Sequence, residues 1–179
     1  MVKKRVINIL ILMLGLVLLL PGGLAFGAGQ TKLPAADARF IKDAAQGNLL
    51  ELELGKLAAE KAASNQVKEF GRRMEQDHGK ALKEIEQLAA GKGVELPKEL
   101  DAKHKATVNR LAKLSGEKFD REYMQFMINE HKEDVEKFQR EAEKAKDPDV
   151  KTFASKELPT LKKHLELART AGQQIGSKR

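Results

Sequence analysis

The sequence predicts an all-α protein: a four-helix bundle made of two repeated helical hairpins joined by a long helical crossover. Composition, an internal repeat and helical periodicity each support this prediction. The chain has 179 residues, of which 33% are charged and 4% aromatic, and it has no Cys. Lys, Glu, Ala, Leu and Gln dominate, and these residues lose little side-chain freedom in a helix. The composition therefore excludes a β-rich fold and a disulfide scaffold.

The N-terminal segment has the layout of a secretory signal peptide. Three basic residues at 3–5 precede an apolar segment at 6–20. Helix breakers at 21–23 and small residues at 25–28 follow it. The apolar segment is shorter than the ~20 residues of a membrane-spanning helix. We expect cleavage between Ala25 and Ala28, which removes a signal peptide over 1–28. The mature protein is then periplasmic or extracellular with no transmembrane segment, and an uncleaved anchor is the alternative.

The charge pattern is that of a solvated surface. The formal net charge is +7, and loss of the three basic residues Lys3, Lys4 and Arg5 would lower it to +4. Acidic and basic residues alternate along the helical segments, as they do between Glu51 and Lys61. A nucleic-acid-binding surface would instead collect Lys and Arg on one face. The pattern indicates no nucleic-acid partner.

An internal repeat is the most informative feature of the chain. Residues 59–70 read AEKAASNQVKEF and residues 142–153 read AEKAKDPDVKTF, so seven of twelve positions match at an offset of 83. The same offset places Asp37 on Asp120 and Glu53 on Glu136. We interpret the two segments as copies of one helix–turn–helix unit.

The repeat and its turns predict the helices and their wiring. Cap-forming residues and helix breakers place helices near 36–62, 66–90, 99–114, 117–145 and 149–172. Two hairpins joined by one long crossover are the ferritin-like way of connecting four helices. The predicted bundle occupies 36–173, after a short linker over 29–35 and before a flexible tail over 174–179.

Four histidines lie on or beside the apolar stripes of the predicted helices: His78, His104, His131 and His164. Glu75 stands three residues before His78, the spacing at which both side chains of a di-iron bundle project inward. We therefore consider a metal site formed by His78, His131 and His164, completed by Glu75 and the repeat-related pair Glu53 and Glu136. Histidine nitrogens with one or two carboxylate oxygens suit zinc, copper or a single iron ion.

Two other interpretations of the histidines remain open. Buried neutral histidines can hydrogen-bond to nearby polar groups and thereby fix the register of the bundle. A haem bound by Met and His is the third alternative, although the chain lacks the Cys-x-x-Cys-His sequence of covalent attachment.

Several ordered motifs resemble an exported bacterial family, domain-of-unknown-function family 4142. The resemblance covers about residues 36–170, and its motifs are the segments at 40–48 and 53–58, Met74-x-x-Asp77-His78, Glu99-Leu100-Asp101-x-x-His104, Tyr123-Met124 with Glu130-His131, and Leu158-Pro159-x-Leu161-x-x-His164. It implies a ferritin-like bundle, an outer-membrane or periplasmic location, and family histidine positions at His78, His104, His131 and His164. The second Glu-x-x-His of true ferritins is missing here, and the family supplies no established activity.

The sequence thus predicts an exported binding or stress-related bundle, and one metal ion held by its interior histidines is one interpretation of those residues. A non-enzymatic role is favoured over an enzymatic one. A di-iron or mononuclear metal oxidase is one alternative. A pH-responsive or cell-envelope interaction module with purely structural histidines is another. Association with the cell envelope and formation of homo-oligomers both remain open.

Overall fold

The computed structural model describes residues 32–176 and contains five helices there, with no strand in that range. They are α1 (Ala35–Lys61), α2 (Asn65–Lys92), α3 (Ala102–Ala112), α4 (Gly116–Lys144) and α5 (Pro148–Gly176). Helices α1 and α2 form one hairpin, α4 and α5 form the other, and α3 lies in the crossover between them. The predicted signal peptide lies outside the described residues.

The predicted helices all occur, and their ends differ by a few residues. Helix α3 begins at Ala102 rather than near 99, because the Asp101 side chain caps it by accepting a hydrogen bond from the backbone N–H of His104 at 2.8 Å. Helix α5 continues to Gly176, four residues beyond the predicted end near 172. Helix α2 ends at Lys92 and is capped by Gly93, whose φ of 66° is the left-handed conformation that favours glycine.

Each hairpin begins with an aspartate that caps the turn of the other hairpin. Asp37 accepts hydrogen bonds from the backbone N–H groups of Lys146 and Asp147 at 3.0 and 2.6 Å. Asp120 accepts them from Ala63 and Ser64 at 3.0 and 2.8 Å. Donors and acceptors are both related by the sequence offset of 83, so the repeat is also present in the three-dimensional contacts.

Two glycines allow α1 and α2 to approach closely. A Cβ atom on Gly55 would lie 2.6 Å from the backbone nitrogen of Glu75 and 2.7 Å from the carbonyl oxygen of Gly71. One on Gly71 would lie 2.8 Å from the Gly55 carbonyl oxygen. These distances are too short for any other residue, so the crossing depends on glycine at both positions. The crossing lies next to the segments that carry Glu51 and His78.

The interior consists of two apolar clusters with a polar layer between them. One cluster includes Leu54, Phe70 and Met127, and the other includes Phe40, Ile85, Phe138 and Phe153. In the second cluster the rings of Phe40 and Phe138 pack edge to face, with centroids 5.1 Å apart. The polar layer includes three buried histidines and the buried carboxyl group of Glu51.

None of the helices formed by residues 32–176 has the length and apolar character needed to cross a membrane.

We expect the two cross-hairpin caps to contribute similarly to stability. Replacing Asp37 or Asp120 with Ala removes an acceptor of two backbone hydrogen bonds, and should lower the free energy of unfolding by about 1.5–3 kcal/mol. Urea denaturation of each variant measures this. Asp43→Ala is the control, because Asp43 is exposed on α1. Losses as small as that of the control would show that the caps do not hold the hairpins together.

Candidate metal centre

Three helices each contribute one buried histidine to the polar layer. His78 comes from α2, His131 from α4 and His164 from α5, and the side chains are 3%, 0% and 1% exposed. Their ring centroids are 5.1–5.6 Å apart. One ring nitrogen of each lies within 4.8 Å of one from each of the other two. The three side chains therefore face a common centre.

Each histidine is oriented by a hydrogen bond from one ring nitrogen to an acceptor. His131 Nδ1–H donates to the carbonyl oxygen of Met127 at 3.0 Å, one turn earlier on α4. His164 Nε2–H donates to Asp77 Oδ2 at 2.8 Å. His78 Nδ1–H donates to Asn48 Oδ1 at 3.0 Å, and the Asn48 amide is fixed because its Nδ2 donates to Ala44 O at 2.8 Å.

These hydrogen bonds determine the tautomers. With one nitrogen protonated, each neutral ring has a lone pair on the other, namely His78 Nε2, His131 Nε2 and His164 Nδ1. All three of these nitrogens are buried and have no hydrogen-bond partner in the protein. Outer partners that fix ring orientation and leave the inner nitrogen free are typical of histidines that bind metal ions.

Glu51 on α1 adds a carboxyl group to the layer. Its Oε2 lies 3.2 Å from His78 Nδ1, and its Oε1 lies 3.4 Å from His131 Nε2. The side chain is almost completely buried, and Oε1 has no hydrogen-bond partner. All four helices of the two hairpins therefore contribute a side chain to this polar layer.

Burial keeps the three histidines neutral. Desolvation and, to a smaller extent, the neighbouring His164 lower the pKa of His131 to about 3. The pKa of His78 is well below its ordinary value, because of burial and then the proximity of His131 and His164. Burial also lowers the pKa of His164, although the hydrogen bond to Asp77 acts in the opposite direction. Neutral imidazole is the form that binds a metal ion.

The carboxyl groups near the centre are shifted toward their protonated forms. Burial raises the pKa of Glu51 well above 4.5, and the charges of Asp134 and Glu130 raise it further. Burial is also the main cause that raises the pKa of Glu130 to about 7. Asp134 is buried and accepts a hydrogen bond from Lys137 Nζ at 2.9 Å. Without a cation at the centre, Glu51 therefore keeps its proton to a higher pH than an exposed glutamate does.

The space beside the histidines is small. A cavity of about 10 Å³ is lined by residues of all four hairpin helices, among them Asn48, Glu51, His78, Asp134 and His164. This volume corresponds to about one water molecule. His131 does not line this cavity, which lies on the side of His78 and His164. A haem is much larger than this space and would require the bundle to open.

The structure brings together only some of the residues predicted from the sequence. His78, His131 and His164 form the cluster. His104 lies on α3, where its Nδ1 is 3.3 Å from Gln46 Oε1 and 3.3 Å from Asp101 Oδ2. Glu53 and Glu136 are exposed. Glu75 is half-buried and lines an open surface groove with Arg72 and Gln76. These three glutamates therefore do not share the interior centre.

Sequence reasoning missed Glu51, Asn48 and Asp77. A signal for Glu51 is present in the helical spacing, because Ala44, Asn48, Glu51, Leu54 and Ala58 recur every three or four residues and are all buried. Glu53 is two residues further along, which turns it about 200° around the helix, away from this stripe.

Comparison with known proteins identifies the family. The model of the family described as "Domain of unknown function (DUF4142)" matches residues 25–171. The chain belongs to the DUF4142 family. The resemblance inferred from the sequence is thus confirmed. No curated protein sequence is significantly similar to this DUF4142 protein.

A solved structure supports the fold. A crystal structure of a DUF305 fragment from Deinococcus radiodurans has a TM-score of 0.69 to this protein at 17% sequence identity. The match covers 82% of this chain and 99% of that chain. At this identity the similarity concerns the fold alone, and it confirms the predicted ferritin-like helical bundle.

We expect the metal-free E51Q variant to gain stability relative to the wild type as the pH rises. Unfolded Glu51 ionises above about pH 4.5, whereas folded Glu51 keeps its proton to a higher pH. Because a glutamine does not titrate, the wild type therefore loses stability relative to E51Q as the pH increases. Urea denaturation in chelator between pH 5 and 8 measures the difference.

The matched control is Glu53→Gln, the same change on an exposed position of α1. It should leave the pH dependence of the wild type unchanged. A constant stability difference between E51Q and the wild type from pH 5 to 8 would contradict the expected protonation of Glu51.

Proposed function

We propose that this DUF4142 protein is an exported helical bundle that binds one divalent transition-metal ion between its two hairpins. His78, His131 and His164 are the proposed ligands. The proposal depends chiefly on one observation: each histidine has one nitrogen hydrogen-bonded to an outer acceptor and a second, buried nitrogen with no protein partner. Three imidazole nitrogens suit zinc, copper or iron.

The main rival is a purely structural role for the histidines. In the metal-free protein, a protonated Glu51 can direct its hydrogen toward His131, and one water can donate to the nitrogens of His78 and His164. The cavity is large enough for that single water. This arrangement satisfies the layer without a metal ion, so the two roles are separated by metal binding rather than by geometry.

A mononuclear site is favoured over a di-iron centre. Two iron ions in such bundles are held by several inward carboxylates and two Glu-x-x-His motifs. Here Glu51 contacts His78 and His131, Asp77 is the outer hydrogen-bond partner of His164, and Glu75 lies on an open groove of α2. These placements support a binding function more than an oxidase.

A pH-responsive module is the second candidate, favoured by the lowered pKa values of three buried histidines. The stability contributed by a neutral buried histidine is complete above about pH 6.5 and is lost as the pH falls toward the lower pKa of the folded state. The raised pKa values of Glu51 and Glu130 act in the opposite direction. Unfolding therefore takes up protons at histidines and releases them at carboxyl groups, which weakens the net response to acid.

We expect the untagged mature protein to bind one metal ion per chain and to become more stable when it does. After loading with zinc, copper or iron and desalting, elemental analysis should give close to one equivalent of a metal. A free metal concentration a thousand times Kd adds about 4 kcal/mol to the free energy of unfolding. H131Q should lose both the metal and the stabilisation.

The matched control is H104Q, because His104 lies on α3 outside the cluster and is half-buried. It should bind metal as the wild type does. Circular dichroism checks that both variants are folded. Absence of bound metal in the wild type after all three loadings would leave the structural role of the histidines as the explanation.

We also expect export with cleavage of the signal peptide. Expressed with its full sequence in a Gram-negative host, the protein should appear in the periplasmic fraction. Intact-mass analysis should place its first residue between 26 and 29, after a cut between Ala25 and Ala28. A membrane-bound product of full-length mass would instead support an uncleaved anchor.

A further inference from the structure

We infer that Glu51 is the fourth ligand of the metal site, which gives a shell of three nitrogens and one carboxylate oxygen that selects divalent cations over Cu(I). This inference rests on the proposed function. It adds a ligand that lies outside the histidine cluster and defines the class of ion that the site prefers.

The position of Glu51 Oε1 supports direct ligation. This oxygen and His131 Nε2 are both buried, both lack a hydrogen-bond partner, and lie 3.4 Å apart. In a tetrahedral site with metal–ligand bonds of 2.0–2.2 Å, neighbouring ligand atoms are separated by about 3.3–3.6 Å. The separation of this pair lies in that range, whereas the histidine nitrogens lie only within 4.8 Å of one another, so binding one ion would draw the four side chains closer together.

The other oxygen of Glu51 fixes the carboxyl group. Oε2 lies 3.2 Å from His78 Nδ1, the same nitrogen that donates to Asn48. With Oε2 held there, Oε1 faces His131 Nε2 at 3.4 Å. Glu51 thus has one oxygen on the outer side of His78 and one facing the free nitrogen of His131, as expected for a monodentate ligand.

The charges around the layer favour a bound cation. Glu51 is in contact with two of the histidines, and Asp77 accepts a hydrogen bond from the third at 2.8 Å. Arg73 lies 3.9 Å from Asp77, and Lys137 pairs with Asp134 at 2.9 Å. Among the described residues Glu51 has no Lys or Arg at ion-pair distance, so its negative charge is the one that a bound cation would balance.

The donor atoms of the proposed site also favour divalent ions over Cu(I). Zinc(II), cobalt(II) and copper(II) accept imidazole nitrogen and carboxylate oxygen, whereas Cu(I) prefers the softer sulfur donors. A carboxylate ligand should therefore strengthen binding of the divalent ions much more than binding of Cu(I).

The test compares the wild type with E51Q and uses three metal ions as probes. Zinc(II) and Cu(I) affinities come from competition with chelators of known affinity, and cobalt(II) reports coordination through its visible absorption. Loss of Glu51 should weaken zinc binding by at least the ~10–100-fold typical of outer-partner losses. The cobalt spectrum should change, and Cu(I) affinity should fall by a smaller factor.

Glu53→Gln is the control, since it makes the same change on an exposed face of α1 and should alter none of the three measurements. Circular dichroism checks the fold of E51Q. If E51Q does not fold, Glu51→Asp tests the same point, because it keeps the charge but withdraws the oxygen from the centre.

Each outcome has a distinct meaning. Weaker zinc binding with a changed cobalt spectrum supports Glu51 as a ligand. Wild-type affinity and an unchanged spectrum in E51Q, with metal lost in H131Q, would overturn the inference but retain the proposed metal site. Equal losses of zinc and Cu(I) affinity would overturn the selectivity. A wild type that binds no metal would overturn both proposals.

Discussion

The fold is organised around a buried polar layer that two apolar clusters enclose. Four helices must each contribute a side chain to this layer, from Glu51 on α1, His78 on α2, His131 on α4 and His164 on α5. An unpaired polar group in such surroundings is destabilising, so the helices can rotate little without losing the outer hydrogen bonds. The close crossing of α1 and α2 at Gly55 and Gly71 holds Glu51 against His78. A metal ion at this centre would link the two hairpins, and its binding energy would add to the stability of the bundle.

The internal repeat relates the residues that cap the two hairpin turns, but it does not relate the three histidines of the polar layer. Asp37 and Asp120 are related by the offset of 83 and cap each other's hairpin turns. The buried carboxyl groups of Glu51 and Asp134 are related by the same offset. The histidines are not: His78 aligns with Leu161, His131 with Asn48 and His164 with Ala81. Two identical hairpins would place equivalent side chains around the centre, whereas the centre formed by the described residues is asymmetric.

Helical spacing in the sequence predicts some residues of the candidate site and not others. The sequence placed His78, His131 and His164 on interior stripes, and the structure brings them together because each stripe faces the same layer. The glutamates chosen for that layer were Glu53 and Glu136, because the repeat relates them to each other. Both are exposed to solvent in the structure. A charged residue on an apolar stripe is hard to recognise when the same helix carries several exposed glutamates, and Glu51 is such a residue.

The sequence by itself determined the all-α class, the duplicated hairpins, the crossover and the family, because composition, capping residues and the offset of 83 are local or linear properties. Only the tertiary structure decided which oxygen and nitrogen atoms meet. The pairing of Asp77 with His164 spans 87 residues, and that of Asn48 with His78 spans 30. Such contacts depend on how helices rotate and slide against each other when their apolar faces pack. Helical periodicity identifies the face of a residue, but the packing of all four helices sets the distances that make a metal site.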